Sequence, residues 1–255
     1  MGGEGMIWDR LTSPRLAELD RKTPVLLPIA ATEQHGPHLP LATDRMIGEY
    51  LMQHLHEWLP DRVLILPSVA VGCSEHHMDF PGSLTLSHTT FIQQVIEILE
   101  SVAAHGFNNL VISNSHGGNM ASGQVAIEAF GRRHPERRVV MFSWWSLAAQ
   151  QLLELSESGP GGIGHACEFE TSLMLLIAPE LVDTTAINKG GNIPTKTWAE
   201  SDMLRRPRAV LYRTFQAMTS NGTYGDPTLA TREKGELIVS IVLDVLIKIV
   251  ESLRH

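Results

Sequence analysis

The sequence contains little cysteine and no long run of basic residues. Its two cysteines, Cys73 and Cys167, are too few for a disulfide framework, which is typical of a protein in a reducing compartment. Lys and Arg number 20 against 28 Asp and Glu, for a net charge of -8, and no basic run is longer than the pairs at 132–133 and 137–138. This balance argues against a nucleic-acid-binding protein.

Signal-peptide and membrane-spanning patterns are missing as well. Residues 1–10 contain glycines and charges of both signs but no apolar core of the kind a signal peptide needs. The most apolar late stretch, residues 238–250, includes Asp244 and Lys248 and is shorter than the ~20 residues needed to cross a bilayer. We therefore expect a cytoplasmic protein, not bound to membranes, whose partners are a small molecule and further copies of itself.

Short apolar segments alternate with helical patterns along the chain. The predicted strands are residues 24–31, 62–72, 109–113 and 138–142, and the predicted helices include 44–59, 90–105 and 231–253. Runs such as "VLLPIA" and "VLILPSVAV" are apolar almost throughout, which is typical of strands buried on both faces. The pattern predicts a single α/β domain over residues 1–255, with helices on both sides of a mostly parallel sheet.

Clusters of polar residues follow the first three predicted strands. They are residues 31–44, 72–82 and 114–119, and a fourth cluster, residues 164–172, precedes a predicted helix. In open α/β sheets, ligands bind beyond the carboxyl ends of the strands, so these clusters mark the candidate site.

Within the clusters, one set of side chains is of the kind that Zn²⁺, Mn²⁺ or Fe²⁺ accepts. The set is Glu33, His35, Asp44, His116 and either Glu168 or Glu170. A bridging Asp44 would hold two ions about 3.5–4 Å apart, whereas Asp44 on its own could equally cap the following helix. The histidines expected to take no part are His54, His56, His134 and His255.

Four motifs, "TEQHGPHLPLATD", "SEHHMDFPGSLTLS", "NSHGGN" and "GHACEFETS", resemble in this order the creatininase family of metal-dependent amidohydrolases. The resemblance covers about residues 24–175. It implies a three-layer α/β/α sandwich, a homo-oligomer with a hexamer favoured, and two divalent ions per subunit.

The resemblance also assigns metal ligands, with one departure. The ligands carried over are Glu33, Asp44 and His116 for one ion, and His35 with the bridging Asp44 for the other. Creatinine hydrolases have Asn-Gly-His-Tyr-Glu-Asn at the third motif, and their second metal is bound by its glutamate, which Gly118 replaces here. Glu170 is the preferred substitute, and Glu168 is the alternative.

Further site residues follow from the same resemblance. His165 matches the histidine that the family uses for proton transfer, a role suited to imidazole near neutral pH. Glu75 and His76 match a motif near the mouth of the site and are expected to contact substrate or a neighbouring subunit. Trp144, with Trp145, is expected either to wall the pocket or to lie in the core.

Together these features predict hydrolysis of a C–N bond in a cyclic amide, a formamide or another small amide by a metal-activated water. Residues 159–164, "GPGGIG", form either a hinge or an active-site loop. They lack the tryptophan that creatininases carry there, so creatinine is not the expected substrate. One alternative is a non-catalytic metal-binding scaffold or an accessory protein of a biosynthetic pathway. Another is a serine hydrolase using Ser74, but its surroundings lack the second glycine of a nucleophile elbow.

Overall fold

A parallel four-stranded sheet lies at the centre of the computed structural model, which describes residues 6–200, 202–205 and 208–254. The strands are β1 (Val25–Ile29), β2 (Leu64–Ile65), β3 (Asn109–Asn114) and β4 (Arg138–Ser143), in the order β2-β1-β3-β4. Val25 of β1 lies beside Leu64 on one side and Leu110 on the other. The predicted α/β class and parallel sheet are confirmed.

The second strand is shorter than the predicted segment 62–72. Regular pairing covers only Leu64–Ile65, and a single bridge between Ile29 and Val69 follows. Pro67 lies between the two, and proline has no N–H to donate to a neighbouring strand. The prediction was therefore right about the position of this strand and wrong about its length.

Helices cover both faces of the sheet. They are α1 (Ser13–Ala17), α2 (Thr43–Trp58), α3 (His88–Ala104), α4 (Met120–Arg133), α5 (Trp144–Leu147), α6 (Ala149–Leu155), α7 (Glu168–Ile177) and α8 (Arg232–Ser252). Leu26 of β1 packs into a core shared with α2, α7 and α8. Val25, Leu27 and Ile29, at alternate positions of the strand, pack on the opposite side with α3 and α4. The alternation of side chains along β1 thus produces the predicted three-layer sandwich.

The helix termini decide one open question about Asp44. Side-chain caps begin α3, where Ser87 accepts from the Thr90 N–H, and α8, where Thr231 accepts from the Lys234 N–H. Helix α2 instead begins after Ala42 without a side-chain cap, and Asp44 is its second residue. Asp44 therefore does not serve as the helix cap.

The chain between α7 and α8 contains little regular structure. It includes a 3₁₀ turn (Phe215–Ala217) and strand β6 (Tyr224–Gly225), which pairs antiparallel with β5 (Ile163–His165). Among the described residues no helix is long and apolar enough to cross a membrane. That residues 1–255 form a single domain stays a prediction.

Helices α7 and α8 approach each other closely. A Cβ built on Gly235 of α8 would lie 2.4 Å from the carbonyl oxygen of Ser172 in α7. Beside this contact, the Lys234 ammonium donates to the carboxylate of Glu168, and both side chains are buried. The same carboxylate accepts from the backbone N–H groups of Glu157 and Ser158. Glu168 therefore joins α7, α8 and the segment that leads to β5.

We expect Gly235→Ala to destabilise the protein, although alanine is favoured over glycine in helix interiors by about 1 kcal/mol. The added methyl group would force α7 and α8 apart. Gly131→Ala in α4 is the matched control, because its Cβ would lie 3.5 Å from Val139 Cγ1, an ordinary contact. Urea unfolding measures both variants, and equal stabilisation of the two would contradict the close helix contact.

Lys234→Met should lower the free energy of unfolding by about 3–5 kcal/mol, because it leaves the buried Glu168 carboxylate without its cation. Adding Glu168→Gln to this variant removes the unpaired charge and should recover much of the loss. Urea unfolding of the single and double variants tests the pair. A double variant as unstable as Lys234→Met would show that the loss has another origin.

Candidate active site

Six buried polar side chains meet beyond the carboxyl ends of β1 and β3. Glu33 and His35 follow β1, Asp44 lies in the first turn of α2, and His116 follows β3. The remaining two are His165 at the end of β5 and Glu170 in the first turn of α7. The structure thus brings every predicted metal ligand, and the predicted catalytic histidine, into one buried cluster.

Asp44 lies between two histidines and faces each with a different oxygen. Its Oδ1 is 3.1 Å from His35 Nε2, and its Oδ2 is 3.0 Å from His116 Nδ1. His116 Nδ1 is also 3.2 Å from Glu33 Oε1, and His35 Nε2 is 3.9 Å from Glu170 Oε2. Each histidine is therefore flanked by two carboxylates, and Asp44 is common to both groups.

Backbone carbonyls orient three of the histidines. His35 Nδ1 lies 3.1 Å from the Glu33 carbonyl oxygen, His116 Nε2 lies 3.1 Å from that of Cys73, and His165 Nε2 lies 2.6 Å from that of Gln34. A carbonyl oxygen only accepts, so each of these nitrogens donates its hydrogen. The other ring nitrogen of each histidine is then directed at the carboxylates, the arrangement typical of metal-binding histidines.

The carboxylates stabilise positive charge on two of these rings. Burial lowers the pKa of His35, but the negative charge and hydrogen bond of Asp44 outweigh burial and raise the pKa to about 9. Burial likewise opposes the charged form of His116, yet Glu33 and Asp44 raise its pKa well above the ordinary value. The oxygens that stabilise a second proton on these rings are those that would bind a divalent cation.

Other groups in the cluster favour their neutral forms. Burial, reinforced by the positive charge of His35, holds the pKa of His165 well below its ordinary value. Burial and the neighbouring His165 do the same to the pKa of His77. Burial raises the pKa of Glu170 to about 7, although His35 opposes this shift. His165 is thus an uncharged base at neutral pH, with Nδ1 as its free nitrogen.

The donor set fits a divalent metal ion. Oε2 of Glu33 is buried and has no hydrogen-bond partner among the described residues. Ligand atoms of Glu33, His35 and Asp44 lie within 4.8 Å of one another, as do those of His35, His165 and Glu170. Three carboxylates and several imidazoles are the ligands that Zn²⁺ and Mn²⁺ accept.

The two glutamates of α7 have different surroundings. Glu170 Oε2 accepts from the Ala166 N–H at 2.5 Å and lies beside His35. Ala166 has a φ of 49°, a left-handed conformation that is strained for a residue with a side chain. Glu168 instead pairs with Lys234, away from the cluster. Of the two predicted alternatives, only Glu170 reaches the site.

Position 118 has no room for a side chain. A Cβ on Gly118 would lie 2.1 Å from the Cys73 carbonyl oxygen and 2.9 Å from the ring of His76. The Cys73 carbonyl is also the acceptor for His116. A glutamate at this position, as in creatinine hydrolases, is therefore excluded with the backbone in its present place.

A cavity of about 440 Å³ opens onto the cluster. His76 and Gly164 line it, whereas Glu75 is exposed to solvent and does not, so Glu75 is not placed to contact a substrate there. The apolar part of the wall consists of Met120, Trp145, Met203, Val210, Phe215, Met218 and Tyr224. Trp144 lies in the core, 1% exposed, and packs edge-on against Trp145. The expectation that Trp144 walls the pocket is thus corrected in favour of its neighbour.

Residues 159–164 end at this cavity. Gly159 and Gly161 have positive φ values, and the segment leads into β5, which carries Gly164 and His165. Gly164 lines the cavity, which favours the active-site loop over the hinge.

Ser74 and the histidines that were expected to take no part are not placed for catalysis among the described residues. Ser74 Oγ is 3.4 Å from His116 Nε2, but that nitrogen donates to the Cys73 carbonyl and is not a base for the hydroxyl. His54 pairs with Glu57, and His134 pairs with Glu100. His56 is also remote from the cavity lining, and His255 lies outside the described residues.

Sequence reasoning missed His77 and Gln34. His77 Nε2 lies 3.3 Å from Glu33 Oε1, and the Gln34 amide lies 2.9 Å from His77 Nδ1. His77 directly follows His76 in "SEHHM", and no periodicity indicates which of two adjacent histidines in a 3₁₀ turn is buried. Phe215, which stacks on His77 at 4.2 Å, lies in the C-terminal third, where no motif was recognised.

Comparison with known proteins agrees with this geometry. The sequence model of the Creatininase family, described as creatinine amidohydrolase, matches residues 9–250. The mycofactocin precursor peptide peptidase of Mycobacterium tuberculosis (strain ATCC 25618 / H37Rv) is 30% identical over 243 residues, which is 92% of this chain and 87% of that protein. The creatinine amidohydrolase of Pseudomonas putida is 28% identical over 232 residues, covering 85% of this chain and 84% of that protein.

Solved structures share the whole fold. The crystal structure of creatinine amidohydrolase superposes with a TM-score of 0.81 at 25% identity, covering 98% of each chain. A creatininase variant described as Zn-Zn type gives a TM-score of 0.80 at 25% identity, again with 98% coverage of both chains. On the match over residues 9–250 and the shared fold, this protein belongs to the creatininase family.

Proposed function

We propose that this creatininase-family amidohydrolase hydrolyses a C–N bond with the aid of two divalent ions, Zn²⁺, Mn²⁺ or Fe²⁺. The observation that carries the proposal is Asp44, whose two oxygens face His35 and His116 separately. In this proposal Glu33, Asp44 and His116 hold one ion, and His35, Asp44 and Glu170 hold the other. The relative described as Zn-Zn type supports zinc as the first metal to test.

When bound, the ions would polarise the amide carbonyl and make a water acidic enough to attack it. The chain's own contribution centres on His165. Its Nε2–H stays bonded to the Gln34 carbonyl, so Nδ1 is the atom that accepts the proton of the water and returns it to the leaving nitrogen. Phe215 of the apolar wall packs edge-on against the His165 ring, with centroids 4.6 Å apart.

The substrate proposed is a small amide or the end of a short peptide. A cavity of about 440 Å³ is of the size that binds small molecules. Its apolar wall suits an aliphatic or aromatic group beside the amide. A relative named as a peptide peptidase extends the expected cyclic amides and formamides to peptides. The homo-oligomer, with a hexamer favoured, stays a prediction.

Elemental analysis of the purified protein should find two divalent ions per chain, and Asp44→Ala should lose them because it removes the shared ligand. His134→Gln is the control, since His134 binds Glu100 away from the site. A wild-type protein that holds no metal after incubation with Zn²⁺ or Mn²⁺ would contradict the proposal.

His165→Ala should lower kcat by about 10²–10⁴-fold, the usual contribution of a general base, while the metal content stays at the wild-type level. The assay follows release of amine from small amides and short peptides screened with the metal-loaded enzyme. Wild-type protein that binds metal but cleaves none of them would favour the scaffold alternative. Unchanged kcat in the variant would remove His165 from the mechanism.

A further inference from the structure

The side-chain amide of Gln34 has a fixed orientation. The Gly36 N–H lies 3.0 Å from its Oε1, and the Gln34 Nε2 lies 2.9 Å from His77 Nδ1. The Gln34 Nε2 is also 3.2 Å from His165 Nε2, but that nitrogen donates to the Gln34 carbonyl at 2.6 Å, so His77 is the acceptor for the amide. A backbone N–H only donates, so the atom that faces Gly36 must be the oxygen and the atom that faces His77 must be the nitrogen. The backbone therefore sets the amide orientation independently of the histidine.

This orientation determines the tautomer of His77. The amide nitrogen of Gln34 only donates, so His77 Nδ1 must accept and cannot carry a hydrogen. The imidazole proton is then on Nε2, which lies 3.3 Å from Glu33 Oε1. Phe215 stacks on the ring with centroids 4.2 Å apart and holds its plane. His77 therefore presents an N–H to the Glu33 carboxylate.

The arrangement is the reverse of that in His35 and His116. Those rings donate to backbone carbonyls and direct their other nitrogen at carboxylates. Ligand atoms of Glu33, His77 and His165 lie within 4.8 Å of one another, close enough to share an ion. Yet a metal needs a lone pair, and at His77 the nitrogen on that side carries a hydrogen.

We propose that His77 is a positioning residue and not a metal ligand: it donates Nε2–H to Glu33 Oε1, and Gln34 maintains the tautomer that permits this. The inference rests on the proposed metal centre. Holding Oε1 fixes the carboxylate rotamer and leaves Oε2, which has no hydrogen-bond partner among the described residues, available to bind a cation.

The tautomer is measured directly by ¹⁵N NMR of histidine-labelled protein without metal. The expected result is a non-protonated Nδ1 and a protonated Nε2 for His77, its signals being identified as those missing from His77→Gln. A protonated Nδ1 would overturn the inference. This measurement needs no bound ion and is therefore independent of the proposed function.

Zn²⁺ affinity, measured by competition with a chelator, tests the positioning role. A glutamine amide can donate from a place close to that of His Nε2, so His77→Gln should stay within a few-fold of wild type. His77→Leu should bind Zn²⁺ about 10–100-fold more weakly, the usual effect of losing a partner of a metal ligand. His116→Gln, which removes a proposed ligand, should lose more affinity than either.

Each other outcome has a separate meaning. A His77→Gln variant as weak as His116→Gln would overturn the inference and make His77 a ligand. Wild-type affinity in a folded His77→Leu variant, checked by circular dichroism, would overturn the positioning role. A wild-type protein that binds no Zn²⁺ would overturn the proposed function, and the NMR result would decide the tautomer alone.

Discussion

Three carboxylates, Glu33, Asp44 and Glu170, are buried together at the carboxyl edge of the sheet, and the surrounding structure depends on how their charge is compensated. Burying a carboxylate without compensation costs several kcal/mol, roughly what a whole domain gains from folding. The ion pairs of these three residues in the described part of the chain are all with histidines. Their charge is therefore compensated by protons on His35 and His116, whose pKa values these carboxylates raise.

Glu168 shows the other solution to the same problem. It is two residues from Glu170 on the same helix and equally buried, but Lys234 neutralises it and two backbone N–H groups bind it. A carboxylate paired with a permanent cation has a structural role and joins the elements around it. A carboxylate that faces only histidines remains available to a ligand.

Much of this could be predicted from the sequence, and the remainder depends on contacts that sequence spacing does not encode. Continuous apolar runs predicted the sheet, because strands buried on both faces are apolar throughout. Apolar residues at helical spacing predicted α2, α3 and α8, because each of these helices buries one face. The four motifs and their order identified the candidate ligands. Trp144 and Trp145 are both buried, however, and which of them lines the cavity depends on the orientation of the short helix α5. The tautomer of His77 depends on the Gly36 N–H, which fixes the orientation of the Gln34 amide, and no sequence motif indicates that contact.

Gly118 limits how the family's two ligand sets can be exchanged. Its missing side chain is replaced by the Cys73 carbonyl, which is also the group that orients His116. Introducing the glutamate of creatinine hydrolases at this position would displace that carbonyl and release the His116 ring. A glutamate at position 118 therefore cannot be introduced by a single substitution while the Cys73 carbonyl stays in place. An engineer who introduces a side chain at position 118 must therefore also rebuild the turn that carries the Cys73 carbonyl and His76.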